Sequence, residues 1–156
     1  MNFNLKTIIA LIFFSMIFTG IAFAGDDMKG HDMKGHDMSS SGKIGTLFHE
    51  STVDGFMLSY YLMDLRDQKG NENKEMDKPH HIMVYIMDKK HKPVLKGKVG
   101  FMIKDGQGTA QKAMGMYMSN GFGITCDMKE KGIYSITAKM LVNDAKLMDS
   151  FTHEMK

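Results

Sequence analysis

The sequence predicts an all-β domain, an immunoglobulin-like antiparallel β-sandwich of about seven to eight strands. Short apolar segments recur through residues 43–156, and turn-forming pairs such as Asp54-Gly55 and Asn143-Asp144 separate them. No segment keeps a helical period of apolar residues. Short strands at this spacing are typical of an antiparallel sandwich.

The first half of the domain predicts four strands separated by polar segments. They cover residues 44–52, 56–63, 80–87 and 94–104. The polar segment Asp64–Lys78 predicts an exposed loop, and Pro79 precedes the third strand. The segment from Asp88 to Pro93 predicts the turn before the fourth strand.

The second half predicts two hairpins. Residues 109–118 and 122–128 pair around Ser119-Asn120-Gly121, and residues 132–143 and 145–154 pair through Asn143-Asp144. The single cysteine, Cys126, has no partner for an internal disulfide, and burial is the expectation for it.

The first 24 residues predict a secretory signal peptide. Lys6 supplies the positive charge, residues 8–18 are apolar, and Ala22-Phe23-Ala24 is a small-residue cleavage site. The apolar segment is shorter than the ~20 residues of a membrane span. We therefore expect a periplasmic or secreted mature chain, residues 25–156, with no membrane span.

Residues 25–42 predict a disordered tail rich in methionine and histidine. The pentapeptide Met-Lys-Gly-His-Asp occurs twice in succession, and bulky apolar residues are nearly absent. Imidazole and thioether groups suit copper, so the candidate ligands here are His31, Met33, His36 and Met38. The competing interpretation is an inert solvated linker that arose by duplication.

Composition points to a soft metal and away from nucleic acid. The chain has 18 methionines, far more than core packing requires, and thioether sulfur selects Cu(I). The formal charge is only +2, the lysines are scattered, and Arg66 is the single arginine. A chain of this charge predicts no nucleic-acid partner.

The segment around residue 81 resembles small exported immunoglobulin-like domains of the YtkA/FixH type. The similar motifs are residues 81–88, Lys92-Pro93-Val94, Gly97-Lys98-Val99 and Gly132-Ile133-Tyr134. The resemblance covers roughly residues 79–155. It implies an immunoglobulin-like fold and an association with copper handling outside the cytoplasm.

His80, His81 and Met83 form a second candidate metal site. Because successive strand residues face opposite sides, His80 shares a face with the predicted core residues Ile82 and Val84. His81 and Met83 share the other face, about 6.8 Å apart along the strand. The competing interpretation is a strand-end histidine beside a surface methionine.

Met114, Met116 and Met118 alternate along one predicted strand and would form a ladder of thioethers on one face. A two-residue loop at Asn120-Gly121 pairs Ser119 with Phe122 and turns the ladder outward. A three-residue loop pairs Met118 with Phe122 and Met114 with Cys126, and turns the ladder into the core. The sequence leaves both registers open.

These features predict a copper-binding protein, with Cu(I) favoured, that sequesters or delivers the ion. A copper-transport or membrane-complex partner is compatible with that role. No nucleophile elbow, P-loop or HExxH motif is present, so we do not expect an enzyme. Two alternatives remain: a metal-free accessory domain of a membrane or electron-transfer complex, and a periplasmic iron-uptake protein.

Overall fold

The computed structural model describes residues 42–71 and 74–156. The predicted signal peptide and the tail ligands His31, Met33, His36 and Met38 lie outside the described residues. Within the described residues, no helix is long and apolar enough to cross a membrane.

The described part of the chain contains nine strands and no helix. The strands are β1 (Thr46–Val53), β2 (Phe56–Asp64), β3 (His80–Met87), β4 (Lys98–Lys104), β5 (Ala110–Met114), β6 (Met116–Met118), β7 (Gly121–Cys126), β8 (Gly132–Val142) and β9 (Ala145–Met155).

The strands form two antiparallel sheets among the described residues. The first sheet has the order β1-β2-β3-β7-β6, and the second sheet has the order β5-β4-β8-β9. The predicted all-β antiparallel sandwich is therefore confirmed. The strand count exceeds the prediction because the expected strand at 109–118 is divided between the two sheets.

That division occurs at Gly115. Met114 pairs with Gly100 in the second sheet, whereas Met116 pairs with Gly123 in the first. The Gly115 N–H donates a hydrogen bond to the Val99 carbonyl at 2.7 Å. The prediction of one ladder formed by Met114, Met116 and Met118 is therefore wrong, because residue alternation alone does not reveal that a strand changes sheets.

Both predicted registers for the following hairpin are wrong as well. Met118 pairs with Gly121, and Ser119 and Asn120 both have positive φ, so they form a two-residue turn one position earlier than expected. Gly121 is already in β7, where a Cβ atom would come within 3.0 Å of the Tyr85 ring. Close packing against β3, rather than turn geometry, requires this glycine. The predicted pairing of Met114 with Cys126 is absent from the register of the described strands.

The main core lies between the two sheets and uses one face of each strand except β6. On β3 the core residues are Ile82, Val84 and Ile86, as the alternation predicted. Cys126 is also buried in this core, as expected. The turns at Asp54-Gly55 and Asn143-Asp144 join neighbouring strands as predicted, with positive φ at all four residues.

Candidate metal centre

The face of the first sheet that points away from the main core carries a second buried cluster. Tyr61 on β2 and Met83 and Tyr85 on β3 form it, and Met83 is completely buried. His81 lies on the same face and is 8% exposed. The interpretation of Met83 as a surface methionine is therefore wrong, because other parts of the chain cover this face.

The segment just before β1 covers part of this buried cluster. Ile44 packs against the cluster, and its backbone N–H donates a hydrogen bond to the Tyr85 hydroxyl at 2.7 Å. The Lys43 ammonium lies 5.2 Å and 5.5 Å from the ring centroids of Tyr61 and Tyr85, and donates a hydrogen bond to the Ser59 hydroxyl. We call Lys43 and Ile44 the entry strap. Met118 on β6 covers the cluster from the other side.

His81 and Met83 bring two soft donors together on this face. The Nε2 atom of His81 lies 3.2 Å from the Sδ atom of Met83. Burial lowers the pKa of His81, which favours the neutral imidazole that binds metals. With Nδ1 protonated, Nε2 presents its lone pair beside the thioether sulfur. With Nε2 protonated, the same contact is a hydrogen bond to sulfur.

Gly123 makes room for this pair. It lies opposite Met83 on β7, and a Cβ atom at this position would clash with Met83 Sδ and come within 2.7 Å of His81 Nε2. The two donor atoms therefore occupy the space above a residue without a side chain. The sequence reasoning missed Gly123, because its role depends on the pairing of β3 with β7.

Further thioethers lie on the same face of the first sheet. Met63 pairs with His81 across β2 and β3, and Met116 pairs with Gly123 across β6 and β7. Met116 is 68% exposed. The methionines that alternation and register place on this face are Met57, Met63, Met83, Met87, Met116 and Met118.

His80 belongs to a different environment, on the core face of β3. Its Nδ1 atom accepts a hydrogen bond from the Met128 backbone N–H at 3.3 Å, and its Nε2 atom lies 3.8 Å from the Asp64 carboxylate. Burial is the main cause that lowers the pKa of His80. The structure therefore does not bring the candidate ligand His80 to the His81–Met83 pair, because the two histidine side chains point to opposite sides of the sheet, as strand alternation predicted.

Met114 is separated from the other predicted ligands too. It lies on the outer face of the second sheet, is 64% exposed, and its sulfur rests near Gly100. Of the ligands predicted within the domain, the structure thus places His81, Met83, Met116 and Met118 on one face. His80 and Met114 lie elsewhere.

The donor chemistry of this face fits a soft ion. Within the described residues, no three His, Cys, Asp or Glu side chains are close enough to hold a metal together. A metal at His81 Nε2 would have the Met83 sulfur as a second donor. Zinc sites have bonds of about 2.0 Å to nitrogen and 2.3 Å to sulfur. With these lengths and the 3.2 Å separation of the two donor atoms, an ion bound by His81 Nε2 and Met83 Sδ would have an N–metal–S angle of about 95°. Such an angle is compatible with a distorted tetrahedral site.

Cys126 is not available to this site. It is 1% exposed within the main core, and burial raises the pKa of its thiol to about 12. A metal ligand or nucleophile must be a thiolate, which this environment disfavours.

No protein-family model matches the chain, and no curated protein matches it significantly. Several solved structures resemble it. FetP from uropathogenic Escherichia coli, expressed in the periplasm, has 11% identity and a TM-score of 0.53, with 70% of this chain and 93% of that chain covered. A DUF4426 family protein from Pseudomonas aeruginosa has 15% identity and a TM-score of 0.53, with 69% of this chain and 93% of that chain covered. A copper-bound variant of Campylobacter jejuni P19 has 9% identity and a TM-score of 0.51, with 72% of this chain and 97% of that chain covered. At these identities the similarity establishes a shared β-sandwich fold.

Proposed function

We propose that this protein binds copper, as Cu(I), outside the cytoplasm and sequesters or delivers it. The observation that carries the proposal is the pair of soft donors, His81 Nε2 and Met83 Sδ, 3.2 Å apart above Gly123. Imidazole and thioether are donors that copper accepts, and thioether selects its reduced state. The site is built into a sheet, so the fold holds both donors in place.

The resembling structures support this choice of metal. Copper-bound forms of both FetP and P19 have the same type of fold. The signal peptide predicted at residues 1–24 supports a periplasmic or secreted location. The role we propose is one of binding: the pair of soft donors at His81 and Met83 suits holding an ion.

Iron uptake is less well supported. Iron sites with histidine ordinarily add carboxylates, and among the described residues no three His, Cys, Asp or Glu side chains are placed to hold a metal ion together.

A metal-free interaction domain remains the second candidate, and one observation favours it. The outer face of the second sheet exposes Met114, Leu141 and Met148, and adaptable methionines of this kind suit a protein partner. Pull-down of a partner by metal-free protein, lost on changing Met114 and Met148 together to lysine, would support this candidate.

The test of copper binding is anaerobic Cu(I) titration of the purified protein against a chromogenic Cu(I) chelator. His81→Gln together with Met83→Leu should lower the affinity markedly. Met114→Leu is a matched control, because this exposed methionine lies on the other sheet. Equal affinities for all three proteins would contradict a copper site at His81 and Met83.

A further inference from the structure

The outer face of the second sheet, which points away from the main core, concentrates positive charge. Strand alternation places five exposed lysines on this face and one acidic residue, Glu154, at its end. The lysines are Lys98, Lys104, Lys112, Lys139 and Lys146. None of the salt bridges among the described residues involves any of them. These lysines are scattered along the sequence and come together only through the pairing of the strands.

Exposed apolar side chains lie between the lysines. Leu141 on β8 pairs with Lys98 of β4 on one side and with Lys146 of β9 on the other. Lys139, the neighbouring outward residue of β8, pairs with Met148 of β9. The large apolar residues exposed on this face are Met114, Ile133, Leu141 and Met148. The methylene stems of the lysines add apolar surface of their own. The face therefore presents positive charge and apolar groups side by side.

This composition favours an anionic lipid surface over a protein partner. Protein–protein interfaces are enriched in aromatic residues and arginine and depleted in lysine. The outward positions of β4, β5, β8 and β9 carry lysines but no aromatic residue and no arginine. Anionic headgroups attract lysine, and exposed aliphatic side chains enter the boundary between the headgroups and the acyl chains. The charge of the face is thus complementary to a membrane that contains acidic phospholipid.

We propose that the outer face of the second sheet docks on an anionic lipid membrane. Its five lysines contact the phosphate headgroups, and Met114, Leu141 and Met148 enter the apolar boundary beneath them. The His81–Met83 pair belongs to the first sheet and lies on the face that also points away from the main core. A domain docked in this way keeps the candidate metal centre on the side away from the lipid. Docking requires no metal, so this inference is independent of the proposed copper function.

Co-sedimentation of the mature chain with lipid vesicles tests the proposal. The chain should bind vesicles that contain phosphatidylglycerol and should not bind vesicles of phosphatidylcholine alone. Binding to the anionic vesicles should weaken when the salt concentration is raised from about 0.1 M to about 1 M, because the screening length falls from about 10 Å to about 3 Å. Absence of binding to anionic vesicles would overturn the proposal. Capture of a soluble protein by this face, without vesicle binding, would likewise overturn it and would support the metal-free interaction domain.

Charge substitutions locate the binding face. Lys139→Gln with Lys146→Gln should weaken binding to anionic vesicles about thirtyfold, because each lysine near such a surface contributes a factor of about five. Lys89→Gln with Lys90→Gln is the matched control, since it removes the same charge from the exposed turn after β3, outside this face. Circular dichroism checks that both variants keep the fold. Equal losses in the two variants would show a response to net charge alone and would overturn docking through this face.

A second pair of substitutions tests the apolar contribution. Met114→Ser with Met148→Ser leaves the charge of the face unchanged and alters only exposed side chains. This variant should also bind anionic vesicles more weakly, because membrane binding strengthens with the apolar area that is buried. Full binding by the serine variant would show that these methionines do not enter the lipid and would overturn the docking geometry.

Discussion

His81 Nε2 and Met83 Sδ lie 3.2 Å apart in a space that exists because position 123 has no side chain. This relationship involves three residues of two neighbouring strands, β3 and β7. It places nitrogen and sulfur donors at a separation that one ion can bridge. The absence of a methyl group at Gly123 is thus as important to the candidate site as the donors are.

Gly123→Ala should therefore weaken Cu(I) binding without changing a ligand. The new methyl group must displace Met83 Sδ and His81 Nε2, and overpacking of this kind costs about 1–3 kcal/mol of the free energy of unfolding. Chemical denaturation would measure the loss, and chelator competition would measure the affinity. Gly106→Ala is the control, because its Cβ atom would meet the Ile133 carbonyl at an ordinary contact distance of 3.7 Å. An alanine variant that keeps full Cu(I) affinity would contradict this account of the site.

The sequence predicted the faces of β3 well. Strand alternation separated His81 and Met83 from Ile82 and Val84, and the structure confirms that separation. The prediction succeeded because β3 is a regular strand whose side chains alternate without a bulge. It held for His80 as well, which lies on the core face and accepts a hydrogen bond from the Met128 N–H, whereas His81 contacts Met83 on the other face.

By contrast, the prediction of one ladder formed by Met114, Met116 and Met118 was wrong, and the reason is physical. Met114 and Met116 alternate as one strand would, yet the chain passes from the second sheet to the first at Gly115. A Cβ atom at Gly115 would lie 3.2 Å from the Phe101 ring, so this glycine lets the backbone pass close to the core. The sequence showed a glycine there, but only the pairing partners reveal a change of sheet. The cover provided by Ile44 was missed for the same reason, since it depends on contact with the distant Tyr85.

The Cys126 thiol should resist modification in the folded protein. It is 1% exposed, and burial raises its pKa to about 12, so the thiolate is scarce at pH 8. Native protein treated with a thiol-reactive disulfide reagent should react slowly, and unfolding in guanidinium should release rapid reaction of one thiol per chain. Rapid reaction of the native protein, with unfolding excluded by circular dichroism, would show that the reagent reaches the Cys126 thiol in the folded state and would contradict this prediction.

The stability of the copper-free protein should fall as the pH drops below about 6.5. Burial is the leading cause of a lowered pKa at His80, His81 and His153, so the unfolded chain binds more protons than the folded chain between the folded pKa values and the ordinary value of 6.5. The free energy of unfolding therefore rises with pH across that window, and below the window the stabilising contribution of these neutral histidines is absent. Urea denaturation at pH values from 7.5 to 5 would measure the slope of the free energy of unfolding against pH.

His153→Gln should reduce that slope, because it removes one of the three groups. His91→Asn, in the exposed turn after β3, is the control and should leave the slope unchanged. A variant at His153 with the same pH dependence as the original protein would show that this histidine does not contribute.

Tyr85→Phe should loosen the entry strap while leaving the sheet intact. The Tyr85 hydroxyl accepts the Ile44 N–H at 2.7 Å, and losing a typical hydrogen bond costs about 0.5–1.5 kcal/mol. The phenylalanine ring keeps the packing beneath Lys43, so the loss should be confined to the strap. Trypsin should then cut after Lys43 faster than in the original protein, with a nearly unchanged melting temperature. Tyr117→Phe is the matched control, because its hydroxyl bonds to the exposed Asn120 side chain at 3.3 Å. If Lys43 is cut equally fast in all three proteins, the hydrogen bond from Ile44 to Tyr85 does not hold the strap in place.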